Sequence, residues 1–312
     1  MDFSKLKRTS IYERKSLVEA QSISEPPASP SSFHDFFQSL PDYLKARDLR
    51  SLVTAIHDAR KLEKPFIWMM GAHSIKVGLS PWIIQAIRRG LITAVAMNGA
   101  CIVHDFELAL AGTTSEDVAE ALQDGSFGMT KETGATLNHW IKEAAQQDRG
   151  LGNYVGEQIS GSTFSHKRLS ILAAAHECKI PLTVHLGIGT DVIHHHPEAS
   201  GEALGKTSLA DFHTFCDTVS QIGDGGVVLN VGSNVLLPEV FLKALTVARN
   251  ICGKIGNFTT ANFDMIQHYR PNVNVVRRPT LDGGTGYSFT GHHEIMLPLL
   301  FTALFEQVEK NS

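Results

Sequence analysis

No apolar run in this chain of 312 residues approaches the ~18 residues a membrane-spanning helix requires. The start, "MDFSKLKRTSIYERKSL", lacks the apolar centre of a secretory signal, and Glu13 and Glu19 sit badly with an organelle transit peptide. Cysteine is sparse: four residues, at 101, 178, 216 and 252, with no Cys-x-x-Cys pair. A thiolate zinc site therefore has little support, and reduced cytoplasmic thiols are expected. Basic excess is missing too. The formal net charge is −4, which argues against a nucleic-acid surface. Histidine runs the other way, with fifteen residues.

The segment Ser22 to Phe36, "SISEPPASPSSFHDF", is rich in Pro and Ser and reads as a linker or extended arm. Residues 1–45 are expected to be an appendage and 46–312 a single α/β domain. Beyond residue 45, short apolar runs alternate with helical periodicity. Strands are expected at 65–71, 92–97, 181–186, 226–231, 256–261 and 273–276, with helices between them and a last helix from about 292. Continuous apolar strands alternating with helices predict a parallel, Rossmann-like sheet covered by helices on both faces.

Ligands of such sheets sit beyond the carboxyl ends of the strands. Those ends read "GAHS" (71–74), "NGAC" (98–101), "HLGIGTD" (185–191), "VGSN" (231–234) and "ANFD" (261–264). Four of the five carry Gly together with a small polar residue, so backbone N–H groups can approach a phosphate closely. A nucleotide or dinucleotide site is expected there, although the G-x-G-x-x-G fingerprint is absent after the first strand.

At these loops, and in "GLSPWIIQAIRRGLITAVAMNGACIVHDFELALAG" and "IMLPLLFTALFEQ", the chain resembles the deoxyhypusine synthase family over about residues 65–305. The resemblance implies a parallel-sheet fold, NAD as cofactor and a homo-oligomer, dimer or tetramer. It implies a cofactor site lined by Ala72, Ser74 and Gly78, by Asn98, Gly99 and Ala100, by Gly232 and Ser233, by Asp264 at the ribose, and by Gly291 and His292. The departures are as informative. Val103 and His104 stand in place of the family's paired glutamates. The Trp-Gly-Lys that carries the imine-forming lysine has no match, because no lysine occurs between Lys254 and Lys310. An imine needs a primary amine, and the guanidinium of Arg277 or Arg278 stays protonated. The reading is an NAD-dependent enzyme acting on a small polar substrate and not a deoxyhypusine synthase.

His104 and Asp191 are the leading acid/base candidates, since imidazole titrates near neutral pH. His73 is placed beside them, and Lys76 is either a nucleophile or a solvated, phosphate-contacting lysine. Adjacent helical residues do not face one another, so His104 needs a partner other than Asp105. Thr114 or Ser115 is expected to cap a helix starting near Glu116. "TVHLGIGTDVIHHHP" (183–197) opens a second reading, a divalent metal held by His185, His194 and His196 in a hydrolase or lyase. A third is a non-catalytic oligomeric binding protein.

Overall fold

The computed structural model describes residues 1–15, 23–29 and 31–310, with side chains given through 306. The chain divides into two compact units, Met1–Ser51 and Leu52–Ser312. In the first, the linker expected over Ser22 to Phe36 lies partly outside the described residues. Its far end is helical: Phe33–Ser39 starts at a capping box in which Ser32 and Asp35 satisfy each other's backbone N–H groups.

The second unit is built on six strands: β1 (Phe66–Met70), β2 (Ala94–Asn98), β3 (Leu182–His185), β4 (Val227–Val231), β5 (Thr259–Asp264) and β6 (Thr285–Thr290). Their order across the sheet is β3-β2-β1-β4-β5-β6, and all five pairings are parallel. Strand order reverses between β1 and β4, where doubly wound folds open a crevice.

Alternation of side chains along β1 divides the core in two. Ile67 and Met69 join Phe215, Val219, Phe241 and Leu245 on one face, under the helices Gly201–Val219 and Leu236–Cys252. Trp68 turns to the other face and stacks on Phe301 at 5.3 Å, on the closing helix His293–Lys310. Burial on both faces explains why these strands read as unbroken apolar runs.

Two expectations near the C-terminus are corrected. "VNVV" forms no strand: Asn272–Arg277 is a π-helical segment. Pro271 enters it with helical angles, φ −56 and ψ −45, Asn274 donates to Glu239 Oε1 at 2.8 Å, and Val275 packs into the core. The sixth strand is instead Thr285–Thr290, at the sheet edge. "ANFD" is likewise the end of β5 rather than a loop after it. Among the described residues, no helix is long and apolar enough to cross a membrane.

Candidate functional site at the carboxyl edge of the sheet

Two neighbourhoods form at the carboxyl ends of the strands. The first lies at the reversal between β1 and β4. The backbones of Gly71 and Gly232 pass so closely that a Cβ on Gly71 would stand 2.4 Å from the Gly232 carbonyl oxygen. Gly232 has φ +65, and a Cβ there would meet the His293 ring at 2.6 Å. Both positions thus require glycine, one for space and one also for conformation.

Around this corner stand two acceptors without a partner. Asp264, 6% exposed, has a buried Oδ2 with no hydrogen bond, while its Oδ1 is reached by the Ile266 N–H only at 3.4 Å. His293, 2% exposed, lies 3.0 Å from the Phe263 carbonyl through Nε2. A carbonyl only accepts, so Nε2 carries the proton and Nδ1 keeps its lone pair, buried and unpartnered. Burial lowers the His293 pKa, which favours this neutral form. His73 stacks at a tilt beside it, ring centroids 5.3 Å apart. Buried polar atoms left unpaired are costly, and here they ring a glycine corner.

Other residues expected at the cofactor are used differently. Ser74 is buried, its hydroxyl turned back toward the Gly71 carbonyl at 3.5 Å. Ala72 precedes the short helix His73–Lys76, and Gly78 closes the turn after it with φ +79. Ser233 Oγ accepts from the Leu237 N–H at 3.3 Å, inside the first turn of Leu236–Cys252. The Gly291 N–H donates to the Asp264 carbonyl at 3.1 Å. His292 is exposed beside Glu294; the inward ring is its neighbour His293, one residue further into the helix.

The second neighbourhood is a cavity of about 640 Å³ beyond β2 and β3, lined by Lys76, Ala100, Val103, His104, Glu107 and Asp191, among others. Its floor is the turn from β2 into the helix Gly99–Ala111. Asn98 caps that helix by accepting from the Cys101 N–H at 3.2 Å. Asp191 fills the space beside Gly99, where a Cβ would come within 2.1 Å of Oδ2. Asn98 and Gly99 are thus committed within the protein, and Ala100 faces the cavity.

Asp191 is half of an unusual pair. Burial pushes its carboxyl up to about 6, and its Oδ2 has no hydrogen-bond partner. His194 Nδ1 accepts from the N–H groups of Gly189, at 3.1 Å, and Asp191, at 3.3 Å. The remaining proton of that ring is therefore on Nε2, 3.8 Å from Asp191 Oδ2.

His104 finds its partner beyond the helix. Its Nδ1 is 2.6 Å from Thr114 Oγ1, whose hydroxyl donates to Glu107 Oε2 at 2.6 Å. Thr133 donates to the other oxygen, Oε1, at 2.9 Å. Burial is the main cause that lowers the His104 pKa, with Glu107 pulling it up and Lys76 pushing it down. Glu107 stands three residues after His104 in the sequence, and i and i+3 share a helix face; the spacing puts both on this wall, but the role of Glu107 comes from the threonine bridge. Asp105 faces the opposite way, fully buried, and accepts from the Ser170 hydroxyl and the Ile171 N–H. The following helix is Val118–Asp124, capped by Asp117 rather than by Thr114 or Ser115.

The expected metal set does not assemble. His185 is buried at the end of β3, with Nε2 3.0 Å from Thr183 Oγ1 and its ring edge on Phe215; burial brings its pKa down to about 4. His194 is committed to Gly189 and Asp191, as above. His196 Nε2 meets the Gly128 carbonyl at 2.8 Å, and His195 meets the same oxygen at 3.2 Å. No three histidine, cysteine or acidic groups among the described residues converge as metal ligands.

No family model matches the chain, and no curated protein does. Solved structures match at the level of the fold. AgrE in complex with ornithine and NAD+ is 12% identical with a TM-score of 0.54; the match covers 88% of this chain and 35% of AgrE. A protein from Methanococcus maripaludis S2 assigned to the LOR/SDH group is 16% identical, TM-score 0.53, over 90% of this chain and 72% of that one. A protein from Entamoeba histolytica assigned as a deoxyhypusine synthase is 10% identical, TM-score 0.50, over 89% of this chain and 94% of that one. This chain thus spans about a third of AgrE and nearly the whole of the Entamoeba protein. The fold that the strand-end loops imply is borne out: the chain has the α/β fold shared by these structures, a deoxyhypusine synthase-like protein among them.

Proposed function

We propose that the protein is an NAD-dependent enzyme that acts on a small polar substrate in the 640 Å³ cavity. The observation that carries this reading is the glycine corner at the strand-order reversal, with the orphaned acceptors Asp264 Oδ2 and His293 Nδ1 beside it. Hydroxyl donors such as those of a ribose complement two such acceptors, and the corner lies at the strand-order reversal, where doubly wound sheets take their ligands. Gly232, Asp264, His293 and the loop from Ala72 to His73 would hold the dinucleotide, which when bound supplies the oxidant.

The chain's own residues supply proton chemistry. His73 and Lys76 share one short helix, with His73 beside His293 and Lys76 on the cavity wall; that helix links cofactor corner and substrate chamber. Burial holds His104 toward its neutral form, which suits a general base, while Asp191, raised toward neutrality by burial, suits an acid. AgrE, of which the match covers 35%, was solved with ornithine and NAD+, which is in keeping with a dinucleotide and a small polar substrate here. Without a lysine in the imine position, transfer through a lysine adduct is not part of the proposal. Self-association into a dimer or tetramer is, and light scattering of the purified chain tests it.

Titration with NAD, followed by intrinsic fluorescence and thermal shift, tests the cofactor. Saturable stabilisation is expected in the wild type, and a much weaker response in Asp264→Ala. No response at millimolar NAD overturns the reading.

A further inference from the structure

The cavity wall contains a hydrogen-bonded chain, Thr133–Glu107–Thr114–His104. Its proton order follows from valence. A threonine hydroxyl has one proton, and a carboxylate has none. Glu107 accepts at both oxygens, from Thr133 at 2.9 Å and from Thr114 at 2.6 Å. Thr114 has then spent its proton and can only accept at the contact with His104 Nδ1, also 2.6 Å. The imidazole must carry its proton on Nδ1.

We propose that Glu107 and Thr114 are positioning residues that lock His104 in its Nδ1–H tautomer, so that the Nε2 lone pair is offered to a substrate O–H or N–H in the cavity. Glu107 acts on the ring through the hydroxyl rather than by direct contact: its Oε2 is 4.0 Å from Nδ1. The hydroxyl makes the lock directional, because a bare carboxylate–imidazole pair could slide while a threonine fixes one distance to each side. Thr114 lies just beyond the helix Gly99–Ala111, and Thr133 lies on the helix Lys131–Gln146. Three separate segments are therefore held together at the base. Lys76, Glu116, Glu132 and Asp191 are the other charged groups on the same wall. None of them reaches the His104 ring through a hydrogen bond in this structure.

This inference rests on the cavity being the substrate chamber but not on the cofactor. Two-bond ¹⁵N–¹H correlation spectra of the full chain, labelled at histidine, report the tautomer of each ring without cofactor or substrate. The wild type is expected to show His104 as a single Nδ1–H tautomer. Thr114→Val should release it into a mixture with the Nε2–H form, at least a several-fold change in the ratio, and Thr114→Ser should restore the lock. Space-filling by threonine alone would not distinguish valine from serine in this way. Nε2–H as the wild-type tautomer overturns the proposal whether or not the variants fold, and so does an unchanged tautomer in a natively folded Thr114→Val. A chain that ignores NAD yet holds the Nδ1–H form loses only the cofactor reading.

Discussion

The ring of His293 lies where a side chain on Gly232 would have to be: a Cβ at residue 232 would stand 2.6 Å from Cε1. The helix His293–Lys310 and the turn after β4 are thus interlocked at the strand-order reversal, and the histidine owes its fixed, buried place to a glycine 61 residues earlier in the chain.

Gly232→Ala should therefore destabilise for two separable reasons. The positive φ of +65 costs an alanine about 1–2 kcal/mol, and crowding against a ring with little room to move adds about 1–3 kcal/mol. In a His293→Ala background only the backbone share should remain. A double-mutant cycle by urea denaturation reads this as a coupling of at least ~1 kcal/mol. Additive losses would mean that the ring moves aside freely.

Asp211 gives a second test, of the scaffold behind the cavity. From the helix Gly201–Val219 its Oδ2 accepts from the Val184 N–H of β3 at 2.8 Å and from Gly152 at 2.9 Å. Burial nonetheless pushes this carboxyl up to about 7. Asp211→Ala leaves two buried donors unsatisfied, at about 1–3 kcal/mol each. Asp211→Asn, which keeps an acceptor oxygen, should lose clearly less. Equal losses in the two variants, measured by chemical denaturation, would assign the effect to packing instead.

The pH dependence of Asp191 can be given a sign. Its folded pKa is about 6, above the ordinary 3.8, so the folded protein holds this proton more tightly than the unfolded chain does. That contribution to stability is complete below pH 3.8 and is lost as pH rises through about 6. Asp191→Asn has no such proton to lose. Wild type should weaken relative to Asp191→Asn between about pH 4 and pH 7 and run parallel to it above that. Unfolding measured for both proteins across this range decides; a constant difference would place the carboxylate in a solvated setting.

Much of this architecture was legible in advance, and the misses have physical causes. β1, β2 and β4 are buried on both faces and stand out as apolar runs, whereas β6, "TGYSFT" at the sheet edge, is largely half-buried or exposed and has no comparable signature. "VNVV" has the β-branched content of a strand, but Pro271 begins a helical path and Val275 is needed in the core. His104 and Asp191 are legible as ionisable residues just beyond strand ends, and the structure places both on one cavity. Of the adjacent His292 and His293 it is the second that turns inward; sequence does not fix where a helix starts to within one residue. The close crossing of Gly71 and Gly232 joins segments 161 positions apart, and no local pattern encodes it.

A last prediction separates the charges that act on His104. Burial is the chief cause of its lowered pKa; Lys76 adds to the lowering, and Glu107 opposes it. A neutral group at residue 76 removes a positive charge that disfavours the imidazolium, so Lys76→Met should move the His104 midpoint upward. Glu107→Gln removes a favourable negative charge and should move it downward. Lys76 is exposed on the cavity rim, so its influence crosses solvent and should fade in about 1 M salt, where screening acts over about 3 Å. Glu107 acts through a half-buried hydroxyl bridge, and its effect should survive the same salt. Histidine-resolved NMR titration of the two variants at low and high ionic strength reads both contrasts. If Lys76→Met leaves the midpoint unmoved at low salt, the lysine points away from the chamber, and the basicity of His104 is set by burial and Glu107 alone.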